Sequence, residues 1–200
     1  MPNTRAQWPR PDECLPVTMV DSPHPAVWPV EQLMKRCDVR TQTRSGPGGQ
    51  HRNRTESGVF AKLVIDDLNG RGVTIIGEAT EQRLQARNRT VAIQRLRMNL
   101  AIGLRTPSRL PTERTIDVAE HAVIQTFTAT SMRLANDNER KPGLLAVLLN
   151  DLHACGGQPS LLVDSWRVST SRLTSFIRSV PAAWTWLNHL RQYHGRRPLR

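Results

Sequence analysis

Three consecutive residues, Gly48, Gly49 and Gln50, carry the strongest chemical signal in the chain because of what surrounds them. They close the run Arg44-Ser45-Gly46-Pro47-Gly48-Gly49-Gln50, whose glycines and proline exclude regular structure and require a loop. Lacking side chains, Gly48 and Gly49 reach dihedrals and approach surfaces that any Cβ would obstruct. The flanks are basic, with Arg40 and Arg44 before the glycines and Arg52 and Arg54 after them, around His51 and Asn53. Guanidinium forks suit phosphate, so the segment reads as a loop presented to RNA. His51 has the chemistry of a general base. No Ser/His/Asp triad, carboxylate pair or metal cluster accompanies it, so a reaction at this loop needs groups supplied by a partner.

A Gly-Gly-Gln tripeptide alone is a weak signal, and the chain contains a second copy at Gly156-Gly157-Gln158. That copy follows an apolar helical run, precedes Pro159 and has no basic flank. Its glycines are expected to form a helix C-cap and turn.

The first copy has a longer context. Arg44, Ser45 and Gly46, the Gly48-Gly49-Gln50 core, Asn53 and Thr55-Glu56-Ser57 stand in order before a β-rich run. An arginine-rich helical stretch follows Gln82, with Gln85-Ala86-Arg87-Asn88-Arg89 and Arg95-Leu96-Arg97. Over about residues 38–104 this resembles the catalytic domain of bacterial class I peptide chain release factors and of their relatives that rescue stalled ribosomes. The resemblance implies hydrolysis of the ester joining peptide to tRNA, with the Gln50 backbone N–H as the important donor and its side-chain amide shaping the water pocket. It implies contacts to ribosomal RNA by Arg44, Arg52 and Arg54, and positional or RNA-contact roles for His51 and Asn53. The basic end of the chain, with Arg196 and Arg197, is similar to tails that enter the empty mRNA channel in rescue proteins; a solvated charged end is the other reading. The expected partners are therefore ribosomal RNA and peptidyl-tRNA, with no cofactor and no metal.

Two departures qualify the resemblance. Arg52 stands where an apolar residue is common, and no pattern before residue 30 or after 105 corresponds to a codon-reading domain. Codon-independent release is therefore expected. A second reading, from another class, is a nucleic-acid-binding regulatory protein that keeps this fold and works through its C-terminal helices.

Composition agrees with a polyanionic partner. Net charge is +11 and the pI is near 11.2. Only Lys35, Lys62 and Lys141 of the 28 basic residues are lysines, and arginine suits RNA better than a membrane surface. Cys14, Cys37 and Cys155 lie far apart in no metal-ligand spacing, which fits a reducing compartment. No apolar run approaches a membrane span, and the N-terminus lacks the pattern of a signal peptide, so cytoplasm is expected.

The elements that must position the loop are those of an α+β fold, a small mixed sheet with a long covering helix and a mainly helical C-terminal module. Residues 1–29 are proline-rich without apolar periodicity and are expected to form a flexible arm. A GGQ domain is expected over 30–105, with a helix from Val30 to about Cys37, strands over Asp38–Thr43, Val59–Ile65 and Val73–Ile76, and an amphipathic helix from Glu81 to about Gly103. A helical linker region follows over 106–142, and a separate module over 143–200. Helices are expected at Glu113–Ala135, Gly143–Ala154, Ser160–Trp166, Thr170–Arg178 and Ala182–His194.

Within the last module, Leu162, Val163, Trp166, Val168, Leu173 and Phe176 stand where a helix-turn-helix needs buried positions. Ser169 is available as N-cap, and Arg167 replaces the usual turn glycine. Nucleic-acid binding and simple packing both remain open for this pair. Trp184, Trp186 and Leu187 read as core or docking residues.

Overall fold

The computed structural model describes residues 8–42, 57–110, 117–128, 134–135 and 137–200. The fold is α+β. Strands β2 (Asp38–Gln42), β3 (Gly58–Asp66) and β4 (Gly72–Ala79) form an antiparallel sheet in that order. A separate parallel pair joins β1 (Thr18–Met19) to β5 (Leu104–Arg105), so parallel and antiparallel pairing occur in two ribbons instead of one mixed sheet.

Alternation in β3 puts Val59, Ala61 and Leu63 inside the protein. The β3–β4 turn closes as expected. The Asp67 carboxylate accepts from the N–H groups of Asn69 and Arg71, each at 2.8 Å, and Gly70 takes φ +74°.

Helix α1 spans Val30–Arg36 and α2 spans Gln85–Gly103. The expected start of α2 at Glu81 is four residues early. The Asn88 side chain accepts from the Gln82 N–H and donates to the Gln82 carbonyl, both at 3.0 Å, which holds the preceding residues outside the helix. α2 also departs from a simple amphipathic stripe, because it is covered on two sides, by the sheet and by α4 (Lys141–Ala154). Against the sheet the approach is very close: a Cβ on Gly77 would lie 2.2 Å from the Ala92 carbonyl oxygen and 2.3 Å from the Leu96 nitrogen. Asn99 and Arg95 donate to the carbonyls of Ile76 and Glu78 at 2.7 and 2.8 Å, which occupies acceptors of β4.

Residues 8–28 differ from the expected arm. Val20, His24 and Ala26 are fully buried, and the 3₁₀ turn Pro25–Val27 packs against α2, α4 and α3 (Val118–Thr128). Proline forbids helix there but not extended packing, so apolar periodicity could not reveal it. Arg97 of α2 donates to the Ala26 carbonyl at 3.0 Å. His24 Nδ1 accepts from the Ala26 N–H, which leaves Nε2 as the protonated nitrogen donating to the Leu104 carbonyl at 3.1 Å.

The expected division at 106–142 falls across one continuous hydrophobic core. α4 is buried from Lys141 to Leu152, and its leucines pack in the same cluster as those of α2. A helix apolar on all sides is an interior helix. The remaining helices are α5 (Val163–Trp166), entered through the 3₁₀ turn Pro159–Leu162, then α6 (Thr170–Arg178) and α7 (Pro181–Tyr193). Among the described residues no helix is long and apolar enough to cross a membrane.

Candidate functional site

Gly48, Gly49 and Gln50, with Arg44, His51, Arg52, Asn53 and Arg54, lie outside the described residues. Their supports are described. β2 ends at Gln42 and β3 begins at Gly58, and these two residues face each other in register. The segment that carries the motif therefore departs from and returns to one end of an antiparallel pair. A Cβ on Gly58 would stand 3.1 Å from the Gln42 carbonyl oxygen, so glycine suits that junction.

Ser57, the residue just before β3, is held by Asn88. The buried Asn88 amide donates to the Ser57 carbonyl at 2.5 Å while also fixing Gln82. One side chain thus ties the returning end of the motif to the first turn of α2. Close to Asn88 in sequence stand Arg83, Arg87 and Arg89, all exposed, with side chains that have no hydrogen-bond or ion-pair partner among the described residues. Guanidinium groups on the helix turn that anchors Ser57 give this end of α2 a positive field of the kind that attracts phosphate. Arg95 is engaged instead with Glu81 at 2.5 Å, and its guanidinium holds the Glu81 carboxyl below the usual range. Arg40 pairs with Asp38 at 2.8 Å on the exposed strand β2.

Arg196 and Arg197 lie elsewhere. Arg105 of β5, just past the C-terminal end of α2, stacks 3.9 Å from the Trp186 ring of α7, whereas Asn88 is at the N-terminal end of α2. About 22 Å of helix, at about 1.5 Å per residue, separates them along α2. After α7 the tail folds back. Arg196 donates to the Gly156 carbonyl at 3.0 Å, Arg191 donates to the carbonyls of Gly157 at 2.6 Å and Arg197 at 2.9 Å, and the Leu199 N–H donates to Asn188. The Arg197 side chain is exposed.

The second Gly-Gly-Gln is a helix terminus. Gly156 and Gly157 take φ +59° and +71°, and their N–H groups donate to the carbonyls of His153 and Leu152 at 3.1 and 2.8 Å. Gln158 donates from its side chain to the Cys155 carbonyl at 3.2 Å.

The titratable groups perturbed by deep burial sit in the core. Burial lowers His24 to about 3 and raises Glu120, which accepts from the His24 N–H at 2.8 Å and the Thr106 hydroxyl at 2.9 Å. Burial also raises Asp151, which accepts from Ser108 at 2.6 Å and Trp166 at 2.8 Å. Each is satisfied by neighbours instead of opening on a cleft, which marks it as structural. A cleft of about 510 Å³ beside α1 is walled by Met34, Ile93, Arg89, Thr90 and Glu31, with no paired nucleophile and base. Among the described residues no group of three His, Cys, Asp or Glu side chains could hold a metal ion.

Sequence reading missed Asn88 as the anchor of the motif. A weak signal existed, since asparagine is a poor former so early in a helix and is suited to bonding nearby backbone. The chain matches no family model, no curated protein and no solved structure.

Proposed function

We propose that this chain is a translation release or ribosome-rescue factor of the cytoplasm that promotes hydrolysis of the peptidyl-tRNA ester without reading a stop codon. The observation that carries the reading is the run Ser45-Gly46-Pro47-Gly48-Gly49-Gln50 between the paired strand ends Gln42 and Gly58. Arg83, Arg87 and Arg89, exposed and near in sequence to the Asn88 that anchors Ser57, support it, because a loop that works among RNA phosphates needs cations at its base.

In this reading Gly48 and Gly49 carry the backbone close to the ester carbonyl. The Gln50 N–H donates to the oxygen that gains charge in the transition state, and the Gln50 amide orients the attacking water. Water adds to the carbonyl carbon, the bond to the tRNA ribose oxygen breaks, and peptide leaves as its free acid. Arg44, Arg52 and Arg54 hold the loop on ribosomal RNA, with His51 and Asn53 in contact roles. Ribosome and tRNA supply the remaining catalytic groups.

The test is peptide release from ribosomes with an empty A site, comparing Gln50→Ala with Gln158→Ala. Gln50→Ala, which removes the water-orienting amide but keeps the backbone N–H, is expected to lower the rate while Gln158→Ala leaves it unchanged, and Gln50→Pro, which deletes the N–H donor itself, is expected to lower it about 10²–10³-fold. Equal release by the Gln50 variants and the unaltered chain would overturn the assignment.

A further inference from the structure

The C-terminal helices carry a feature that peptide release does not use. The 3₁₀ turn and α5 together run from Pro159 to Trp166, three residues follow, and α6 runs from Thr170 to Arg178. Two short helices joined by a three-residue turn are the proportions of a helix-turn-helix. The first turn residue, Arg167, takes φ +49°, the left-handed conformation for which glycine is the usual choice. Leu162, Trp166, Leu173 and Ile177 are fully buried and Phe176 nearly so, with α6 packed against the 3₁₀ turn and the turn against α4. Trp166 is further locked by its hydrogen bond to the buried Asp151 of α4.

The outward face of α6 has an unusual composition for a solvated helix. Thr170, Ser171, Arg172 and Ser175 are exposed, and α6 contains no acidic residue. The Ser169 and Ser171 hydroxyls meet at 3.1 Å in the first turn, and among the described residues no ion pair braces this surface, so its arginine and hydroxyl groups face outward. The side chains of Arg167 and Arg172 are both exposed and make no hydrogen bond or ion pair with the described residues. Hydroxyls and free guanidiniums gathered at the start of a helix are groups that read base edges and phosphates.

We infer that Pro159–Arg178 is a helix-turn-helix that lays α6 in the major groove of duplex DNA, with Thr170, Ser171 and Arg172 on base edges and Arg167 on the phosphate backbone. The groove of B-form DNA, about 12 Å wide, admits a helix. The major groove of A-form RNA is too narrow for side chains to read, which selects DNA over double-stranded RNA. An arginine makes a two-pronged contact with guanine, and serine or threonine contacts several bases. This binding is independent of the Gly48-Gly49-Gln50 loop and adds a second nucleic-acid surface.

A chain with net charge +11 binds any polyanion to some degree, so the test rests on sequence preference. The full chain is used to enrich binders from a random-sequence DNA duplex library. Affinity is then measured for the enriched duplex, a scrambled duplex and an RNA duplex of the enriched sequence. The enriched DNA is expected to bind at least about tenfold more tightly than either comparison duplex. Arg172→Ala is expected to lower affinity for the enriched duplex by about 5- to 150-fold and for the scrambled duplex much less. Arg167→Ala weakens both and lowers the slope of log affinity against log salt by about 1. Arg71→Gln, which removes the same charge from the exposed β3–β4 turn, leaves the preference intact. Unchanged melting temperatures show that each variant is folded. Failure to enrich any sequence, equal affinity for the RNA duplex, or a preference that survives combined replacement of Thr170, Ser171 and Arg172 by alanine would overturn the inference.

Discussion

The side-chain amide of Asn88 donates to the backbone carbonyl of Ser57 at 2.5 Å, joining the first turn of α2 to the chain as it returns from the Gly-Gly-Gln segment. The same amide bonds both backbone groups of Gln82. Replacing Asn88 with alanine removes three part-buried hydrogen bonds to the backbone of Ser57 and Gln82 and is expected to cost about 1–3 kcal/mol in denaturant unfolding. Because Ser57 loses its anchor, the release rate should fall more than ribosome affinity does. Measuring rate at saturating protein separates the two effects.

Gly77 is a site of steric necessity. Alanine there would press its Cβ into backbone atoms of Ala92 and Leu96, none of which can move without shifting α2 from the sheet. Gly77→Ala is expected to lose about 3 kcal/mol or more, or to fail to fold, with circular dichroism and thermal melts as the readout. Gly70→Ala, in open space but at φ +74°, should cost only about 1–2 kcal/mol.

Acid sensitivity should centre on His24. Its folded value of about 3 lies below the unfolded value of 6.5, so between those limits the unfolded chain binds more protons. Stability from the neutral ring is complete above pH 6.5 and is lost as pH falls towards 3, with a full extent of about 5 kcal/mol. Glu120, raised by burial, acts in the opposite direction, contributing stability as it takes up its proton on acidification. Melting temperature between pH 7 and pH 4 should therefore fall less steeply in His24→Gln than in the unaltered chain, even though the variant starts lower.

The second Gly-Gly-Gln gives a stability prediction with no catalytic counterpart. Gly157→Ala combines a strained φ of +71° with a Cβ 2.7 Å from the Arg191 side chain. It should lose about 1–3 kcal/mol of stability while release per folded molecule stays unchanged. Quantifying the folded fraction before each release assay makes that comparison direct.

Much of the architecture was legible because local periodicity and packing agree. The alternation of Val59, Ala61 and Leu63 marked a strand, the Asp67–Gly70 turn marked a hairpin, and the apolar run Leu144–Leu152 marked a buried helix. The spacing of Leu162, Trp166 and Leu173 marked a turn with Arg167 in place of the usual glycine, whereas the left-handed conformation of Arg167 came from the fold. What escaped was non-local. Val20 and Ala26 carry no period, and their burial depends on a cleft between α2 and α4 that exists only in the folded chain. Burial of α2 on both sides, rather than one, likewise depends on α4. For the site, residue types around Gly48-Gly49-Gln50 pointed to RNA, while the pairing of Asn88 with Ser57, 31 positions apart, required the fold.

The most direct measurement is the rate of peptide release by the purified full chain on ribosomes carrying peptidyl-tRNA over three templates: one truncated at the P site, one with a sense codon and one with a stop codon in the A site. Release on the truncated template that drops about 10²–10³-fold in Gln50→Pro, which lacks the N–H donor, with equal rates on sense and stop codons, is the predicted result. Ribosome binding without release on any template, or a rate indifferent to Gln50, would contradict the account.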